Sequence, residues 1–206
     1  MKNPLHYQLS EYDCGPTSML NAVSYLFERD EIPPDVIHNI MTYCLDSYGS
    51  DGSFGKNGTS RFAMMFLSNW LNSFGATGHF PISSQYLSGE AVNFRSDSKL
   101  RDALCRGGAA VVRVDFDVWH YVLLTGIRDD QVFFFDPYYR EEPFQGEQIQ
   151  MIFDHPTAYN RIAPTSYFDR DVLEIYAFGP VDTREAVLLF NERTKLTEEN
   201  TLEYMI

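Results

Sequence analysis

Residues 8–18 read Q-L-S-E-Y-D-C-G-P-T-S, and this stretch is the most informative part of the chain. Pro16 suits the first turn of a helix, because its missing N–H would have no partner there in any case. Apolar residues follow it at helical spacing, namely Met19, Leu20, Val23, Leu26 and Phe27. The pattern therefore predicts a helix that begins next to Cys14.

Cys14 is a candidate nucleophile because of this position. The first N–H groups of a helix have no partner within the helix, and the positive end of the helix dipole lies there, so both favour a thiolate. A thiolate, unlike a thiol, is a strong nucleophile at neutral pH. The alternative interpretation is that Cys14 is a small, buried apolar residue without a chemical role.

Gln8 is a candidate for stabilising the charge that such a nucleophile creates. It lies six residues before Cys14, which lets the chain turn and bring the side-chain amide next to the sulfur. There the amide would form an oxyanion hole together with the backbone N–H of Cys14, an arrangement worth several kcal/mol in a transition state. The alternative is an ordinary surface glutamine.

A histidine and an aspartate lie on two segments that the sequence predicts to be neighbouring strands. His120 opens the apolar run 120–127, Asp136 ends the run 132–136, and a hairpin turn separates the two runs. Antiparallel neighbours would place the carboxylate beside the imidazole and fix its tautomer, leaving the second ring nitrogen for the thiol. Alternatively, His120 is a hydrogen-bonded core residue and Asp136 belongs to an ordinary Asp-Pro turn.

Three motifs together resemble those of the C39 peptidases and C39-like domains, bacterial members of the papain-like superfamily. They are Gln8 to Ser18 (Gln-x5-Cys-Gly-Pro-Thr), His120-Tyr121-Val122-Leu123 and Phe135-Asp136-Pro137. The resemblance implies a papain-like fold and cleavage of a peptide or amide bond through a thioester acyl-enzyme. It implies that Cys14 is the nucleophile and His120 the general base and acid. It also implies that Asp136 orients His120 and that Gln8 donates to the oxyanion.

Two features differ from the family members that are fused to transporters. Those members cleave leader peptides after a double glycine, whereas this sequence shows neither a membrane span nor an ATP-binding domain. We therefore do not expect processing coupled to export within the same polypeptide. Because so little sequence precedes Gln8, we expect no inhibitory propeptide and an enzyme that is active as made. Residues 47–96 and those after Tyr139 carry no motif of the family.

Hydrophobic periodicity predicts an α+β fold, with residues 1–206 as a single domain. An N-terminal helical half would pack on a C-terminal antiparallel β-sheet, with a cleft where the two meet. The further predicted helices are Pro34–Leu45, Thr59–Phe74, which Gly75 ends, and Ser98–Cys105. The predicted strands are Ala109–Asp115, His120–Ile127, Val132–Asp136, Glu147–Phe153, Leu173–Phe178 and Ala186–Phe190. The Gly- and Ser-rich segment 47–58 is predicted to be a mobile loop, either a cleft lid or a solvated connector, and residues 191–206 a docked or loose tail.

Charge and cysteine content argue against several functions. A net charge of −13, with 16 basic residues among 29 acidic ones, argues against a nucleic-acid partner. No signal peptide or membrane span is recognisable, so we expect a cytoplasmic protein. Three cysteines without a CxxC pair fit free thiols in a reducing compartment, and we expect Cys44 and Cys105 to pack in the core. The histidines other than His120 are isolated, so neither a metal nor a cofactor is predicted.

Three functions fit these observations. The leading hypothesis is a stand-alone cysteine peptidase whose partner is a peptide or protein substrate. The second is an acyltransferase or small-amide hydrolase with the same catalytic residues, because an amine resolves a thioester as readily as water does. The third is a non-catalytic peptide-binding domain. It is disfavoured because the four residues that catalysis would need are all present, namely Cys14, His120, Asp136 and Gln8.

Overall fold

The computed structural model describes residues 1–197. Its helices are α1 (Cys14–Leu26), α2 (Pro34–Tyr43), α3 (Arg61–Ala76), α4 (Lys99–Cys105) and α5 (Thr165–Phe168). Its strands are β1 (Ile82–Ser88), β2 (Ala109–Phe116), β3 (Val118–Arg128), β4 (Gln131–Phe135), β5 (Gln150–Met151), β6 (Arg161–Pro164) and β7 (Glu185–Asn191). They form one sheet in the order β1-β7-β2-β3-β4-β6-β5, in which neighbouring strands are antiparallel.

The sheet separates two apolar layers, because successive side chains of a strand point to opposite faces. On one face α1 packs against β2 and β3, and α3 packs against β1. On the other face α4 packs against β2, β3 and β7. The first layer includes Met19, Val23, Leu67, Val111 and Leu123, and the second includes Leu100, Leu104, Val112, Val122 and Phe134. The predicted α+β class, with an N-terminal helical half on an antiparallel sheet, is confirmed.

Most predicted elements are present, with small shifts at their ends. The first helix begins at Cys14, so the candidate nucleophile is its first residue. The second helix ends at Tyr43 rather than Leu45, and α4 follows Ser98, whose side chain caps its N-terminus. The strands β2, β3, β4 and β7 agree with the prediction to within a few residues.

Other predictions were wrong. Gly75 does not end α3, which continues to Ala76. Residues 173–178 form turns and irregular structure, because the backbone of Tyr176 is left-handed (φ 58°) and interrupts an extended chain. The strand predicted for 147–153 is reduced to β5. The strands β1 and β6 were missed, since a run rich in serine and a run of four residues give no clear alternating pattern.

The segment 47–58 has no helix or strand, but it is internally paired. Tyr48 and Phe54 form an isolated β-bridge, and their rings lie 5.1 Å apart. The N–H of Gly49 donates to the carbonyl of Ser53 at 2.8 Å. The segment is therefore a closed loop in this conformation, and its mobility stays a prediction.

The C-terminal tail begins inside the sheet. Asn191, the first residue of the predicted tail, is the last residue of β7. Further on, the N–H of Leu196 donates to the carbonyl of Arg106 at 3.0 Å, so this part of the tail contacts the end of α4. Residues 198–206, which complete the predicted tail, lie outside the described residues.

The contact of Gly75 with β1 gives a test of the packing. A Cβ atom at Gly75 would lie 1.8 Å from the carbonyl oxygen of Ile82. We expect Gly75→Ala to lower the free energy of unfolding by about 1–3 kcal/mol through overpacking, although alanine is the better helix former. Chemical denaturation measures this change.

The matched control is Gly126→Ala in β3, because a Cβ atom there would meet nothing within 4 Å. We expect this control to change stability by no more than about 0.5 kcal/mol. An unchanged denaturation midpoint in Gly75→Ala would contradict the close approach of α3 and β1.

Candidate active site

Cys14 opens α1, and no side chain caps this end of the helix. The preceding residue, Asp13, turns its carboxylate toward the loop instead, where it accepts hydrogen bonds from the N–H groups of Leu9 (2.9 Å) and Ser10 (2.7 Å). Burial opposes the charge, but these bonds and one from the Ser10 hydroxyl lower the pKa of the Asp13 carboxyl. The N–H groups at the start of the helix therefore have no side-chain partner next to the sulfur.

Strand pairing brings His120 and Asp136 together, as the sequence predicts. Leu123 pairs with Phe135 across β3 and β4, so Asp136 lies diagonally across from His120 on the same face of the sheet. His120 Nε2 lies 2.7 Å from Asp136 Oδ1, and both side chains are buried. Because the ionised carboxylate only accepts hydrogen bonds, Nε2 carries a proton and Nδ1 is left for another partner.

Cys14 is a neighbour of this ring, and its sulfur favours the protonated form of His120. Burial alone would lower the pKa of His120. The Asp136 carboxylate and the Cys14 sulfur outweigh burial and raise the pKa of His120 to about 10. Asp136 and Cys14 therefore both favour the protonated form of the ring.

Asp136 is held by residues that the sequence analysis missed. The Tyr176 hydroxyl donates to Oδ2 at 2.6 Å, and the Tyr138 N–H donates to Oδ1 at 2.8 Å. The Asn160 side chain accepts from the Asp136 N–H and donates to the Asp136 carbonyl, both at 2.8 Å. Burial raises the pKa of the Asp136 carboxyl, but the charge of His120 and the hydrogen bonds from His120, Tyr176 and Tyr138 lower it overall.

Gln8 is anchored near this pair, but its side chain is engaged elsewhere. Its N–H donates to the carbonyl of Pro137, the residue after Asp136, at 2.9 Å. Its Nε2 donates to the carbonyl of Ser10 at 2.8 Å, and its Oε1 is buried without a hydrogen-bond partner within residues 1–197. An oxyanion role would use the second N–H of Nε2, because a side-chain amide carries two donors and only one is used by the Ser10 carbonyl.

A cleft of about 630 Å³ opens beside Cys14. One wall comes from the segment around 47–60, including part of the predicted loop, and the other comes from β2 and β3. On the strand side, the Arg113 guanidinium lies 4.5 Å from the Trp119 ring, and Arg113 Nε lies 3.2 Å from Oε1 of the buried Glu185. These contacts fix a cationic and aromatic wall near the nucleophile.

A second cleft of about 230 Å³ shares one lining residue, Glu11, with the first. Its other walls are the segment 8–10 and the exposed ring of Tyr139, next to Tyr138. The two clefts together provide a longer binding surface than a single amide group needs.

The other two cysteines differ from each other. Cys44 is buried, as predicted, and burial raises the pKa of its thiol. Cys105 is exposed, so the prediction that it packs in the core was wrong. The buried face of α4 is formed by other residues, namely Leu100, Ala103 and Leu104.

Within residues 1–197, no group of three or more His, Cys, Asp or Glu side chains is arranged to hold a metal ion. No helix in the same range has both the length and the apolar character that a membrane span needs.

An α+β fold with a cysteine at a helix N-terminus beside a buried histidine–aspartate pair indicates a protein of the cysteine-peptidase type. The chain belongs to the Peptidase_C39 like family, whose model matches residues 2–166. This match confirms the resemblance to C39-like domains. No curated protein matches the chain significantly.

Two solved structures are similar to the chain. One is a double glycine motif protease from an AMS/PCAT transporter in complex with the leader peptide, with 13% identity, coverage of 91% of this chain and 89% of that chain, and a TM-score of 0.44. The other is the peptidase domain of Streptococcus mutans ComA, with 12% identity, coverage of 91% and 98%, and a TM-score of 0.40.

The charge of Asp136 can be removed without changing the size of the side chain. In Asp136→Asn we expect the pKa of His120, about 10 in the wild type, to fall toward or below its ordinary value of roughly 6.5, because burial then dominates. Titration of ¹⁵N-labelled histidine by NMR measures the change. Asp154→Asn is the control, since Asp154 contacts the exposed His155 at 2.7 Å and should leave His120 unaffected.

The raised pKa of His120 in the wild type also makes the stability of the folded chain depend on pH. The pKa of His120 in the folded chain exceeds the ordinary value, so protonated His120 stabilises the folded state. This contribution is complete below about pH 6.5 and is lost as the pH rises through about 10. A His120 pKa that stays near 10 in Asp136→Asn would show that the carboxylate is not the cause.

Proposed function

We propose that the chain is a cysteine peptidase that hydrolyses a peptide bond through a thioester formed on Cys14. The main support is the series of contacts from the sulfur to His120, and from its Nε2 to Asp136 Oδ1 at 2.7 Å. In this arrangement the thiolate and the imidazolium stabilise each other, while the carboxylate holds the ring with Nδ1 toward the sulfur.

In the first half of the reaction, the Cys14 thiolate attacks the carbonyl carbon of the substrate. His120 gives its Nδ1 proton to the leaving amine as the C–N bond breaks, which leaves a thioester on Cys14. The Cys14 N–H and the Gln8 amide donate to the oxyanion of the tetrahedral intermediate. The Gln8 amide uses its second N–H for this, because the first donates to the Ser10 carbonyl in the resting site.

In the second half, water resolves the thioester. Neutral His120 takes a proton from the water while the water oxygen attacks the thioester carbon. The C–S bond then breaks, a carboxylic acid leaves, and the Cys14 thiolate and the His120 imidazolium are restored. We propose a peptide or protein as the substrate, because the cleft of about 630 Å³ beside Cys14 exceeds what a small amide would fill.

Incubation with a peptide library, with products identified by mass spectrometry, tests this function. We expect cleaved peptides and an acyl adduct on Cys14, both lost in Cys14→Ala. Cys105→Ala is the matched control, because it removes an exposed thiol that does not line the cleft. The absence of both a Cys14-dependent product and an adduct would reject the peptidase and favour a non-catalytic peptide-binding domain.

The same assay with an added primary amine separates hydrolysis from acyl transfer. If water resolves the thioester, the products are free acids and their yield does not depend on the amine. New amides in place of acids would identify the chain as an acyltransferase that uses the same residues.

Gln8→Ala tests the oxyanion donor. We expect kcat to fall about 10²–10³-fold, the usual effect of removing one such donor, with little change in KM because the interaction is made in the transition state. Gln85→Ala is the control, since Gln85 is an exposed glutamine on β1. An unchanged kcat in Gln8→Ala would assign the oxyanion to other donors.

A further inference from the structure

The carboxylate of Asp136 has a second polar contact that the proposed mechanism does not use. Its Oδ1 contacts His120, while its Oδ2 accepts a hydrogen bond from the Tyr176 hydroxyl at 2.6 Å. The charge of the Arg161 guanidinium also acts on this hydroxyl, in the direction that lowers the pKa of Tyr176. A polar chain therefore runs from Arg161 through Tyr176 to the oxygen of Asp136 that does not face His120.

Arg161 is an unusual residue to find at this depth. Its side chain is 1% exposed, and Nη1 donates to the carbonyl of Asn160 at 2.8 Å. Its Nε has no hydrogen-bond partner within residues 1–197, and none of the ion pairs in that range includes it. A buried cation without a direct counter-ion is unfavourable. The Tyr176 hydroxyl and the charge of Asp136 behind it compensate for this cost.

Tyr176 is held in place by an uncommon backbone conformation. Its φ of 58° lies in the left-handed region, which bulky side chains rarely adopt. Its N–H donates to the carbonyl of Asp115 at 2.8 Å, and the Asp115 N–H donates to the carbonyl of Ala177 at 2.8 Å. Strained conformations persist where the surroundings enforce them. Here the strain accompanies a buried hydroxyl directed at Asp136.

We propose that Tyr176 and Arg161 are positioning residues that keep the shared proton on His120 rather than on Asp136, which rests on the function proposed for that pair. In a buried site, low polarity favours a neutral acid beside a neutral imidazole over an ion pair. The Tyr176 hydroxyl, which donates to Oδ2, and the positive charge of Arg161 near that hydroxyl favour the ionised carboxylate. His120 then stays charged and can donate its Nδ1 proton to the leaving amine.

The effect of Tyr176 and Arg161 on Asp136 can be separated from the effect of the other groups around this carboxylate. His120 contacts it from β3, with Cys14 beyond the ring, while Tyr176 and Arg161 form the opposing chain. In His120→Ala the imidazolium is gone, so Tyr176, Arg161 and the backbone N–H of Tyr138 remain to favour the carboxylate. Titration of ¹³C-labelled aspartate by NMR then reads Asp136 directly.

In His120→Ala we expect Asp136 to keep a pKa within about one unit of its ordinary value of roughly 3.9, despite its burial. Adding Tyr176→Phe should raise that pKa by about one unit or more, because a hydrogen bond to a charged group is lost. The control is Tyr167→Phe in the same background, which removes a buried hydroxyl that donates to Glu147 at 2.7 Å.

Two results would overturn the proposal. One is an unchanged Asp136 titration in the folded Tyr176→Phe variant. The other is an Asp136 pKa raised by about two units or more in His120→Ala alone, which decides the matter even if Tyr176→Phe does not fold. The titration does not depend on peptide cleavage, so a chain that titrates as expected but cleaves no peptide would reject the proposed function and retain this proposal.

In the otherwise wild-type chain, Tyr176→Phe should lower kcat about tenfold with KM unchanged.

Discussion

The buried hydrogen bond between His120 Nε2 and Asp136 Oδ1 is the interaction on which the rest of the site depends. Both side chains are shielded from water, where an isolated charge is costly and a pair of opposite charges attracts strongly. The carboxylate makes the imidazolium stable in a place that would otherwise favour a neutral ring. That charge in turn lies next to Cys14 at the start of α1, where the proposed mechanism needs it.

The fold supplies this pair by fixing α1 against the sheet. The Ser18 hydroxyl donates to the carbonyl of Tyr121 at 2.9 Å, so the first turns of α1 are joined to β3 one residue beyond His120. On the other side of the helix end, a Cβ atom at Gly15 would lie 2.1 Å from Thr59 Oγ1, so the segment before α3 packs directly on the backbone next to Cys14. These two contacts set the position of the sulfur relative to the ring, independently of any substrate.

The parts of the site that the sequence predicted are those with a local signal. Cys14 is marked by the start of a helix, and His120 and Asp136 by two apolar strands joined by a hairpin. Asn160 and Tyr176 contact Asp136 only through tertiary folding, and Tyr176 was assigned to a strand because its left-handed backbone leaves no trace in the apolar pattern.

The other errors in the prediction also concern features that depend on tertiary contacts or have too short a sequence pattern. In α3, Gly75 looks like a helix end, but it serves close packing against β1. Helix α4 spans 7 residues, too few for its apolar period to decide which side Cys105 faces. The hydrogen bond from Gln8 to Ser10 depends on a loop conformation that spacing alone does not determine.

The pairing of Cys14 with His120 is tested by the rate at which iodoacetamide alkylates Cys14 across pH, with the exposed Cys105 of the same molecule as a reference thiol. If Cys14 is a thiolate paired with His120, it reacts faster than Cys105 at neutral pH. It also stays reactive at lower pH, where an ordinary thiol with a pKa of about 8.5 is protonated. His120→Ala should abolish that advantage. Identical pH profiles for the two cysteines, or an advantage that survives in His120→Ala, would contradict the account.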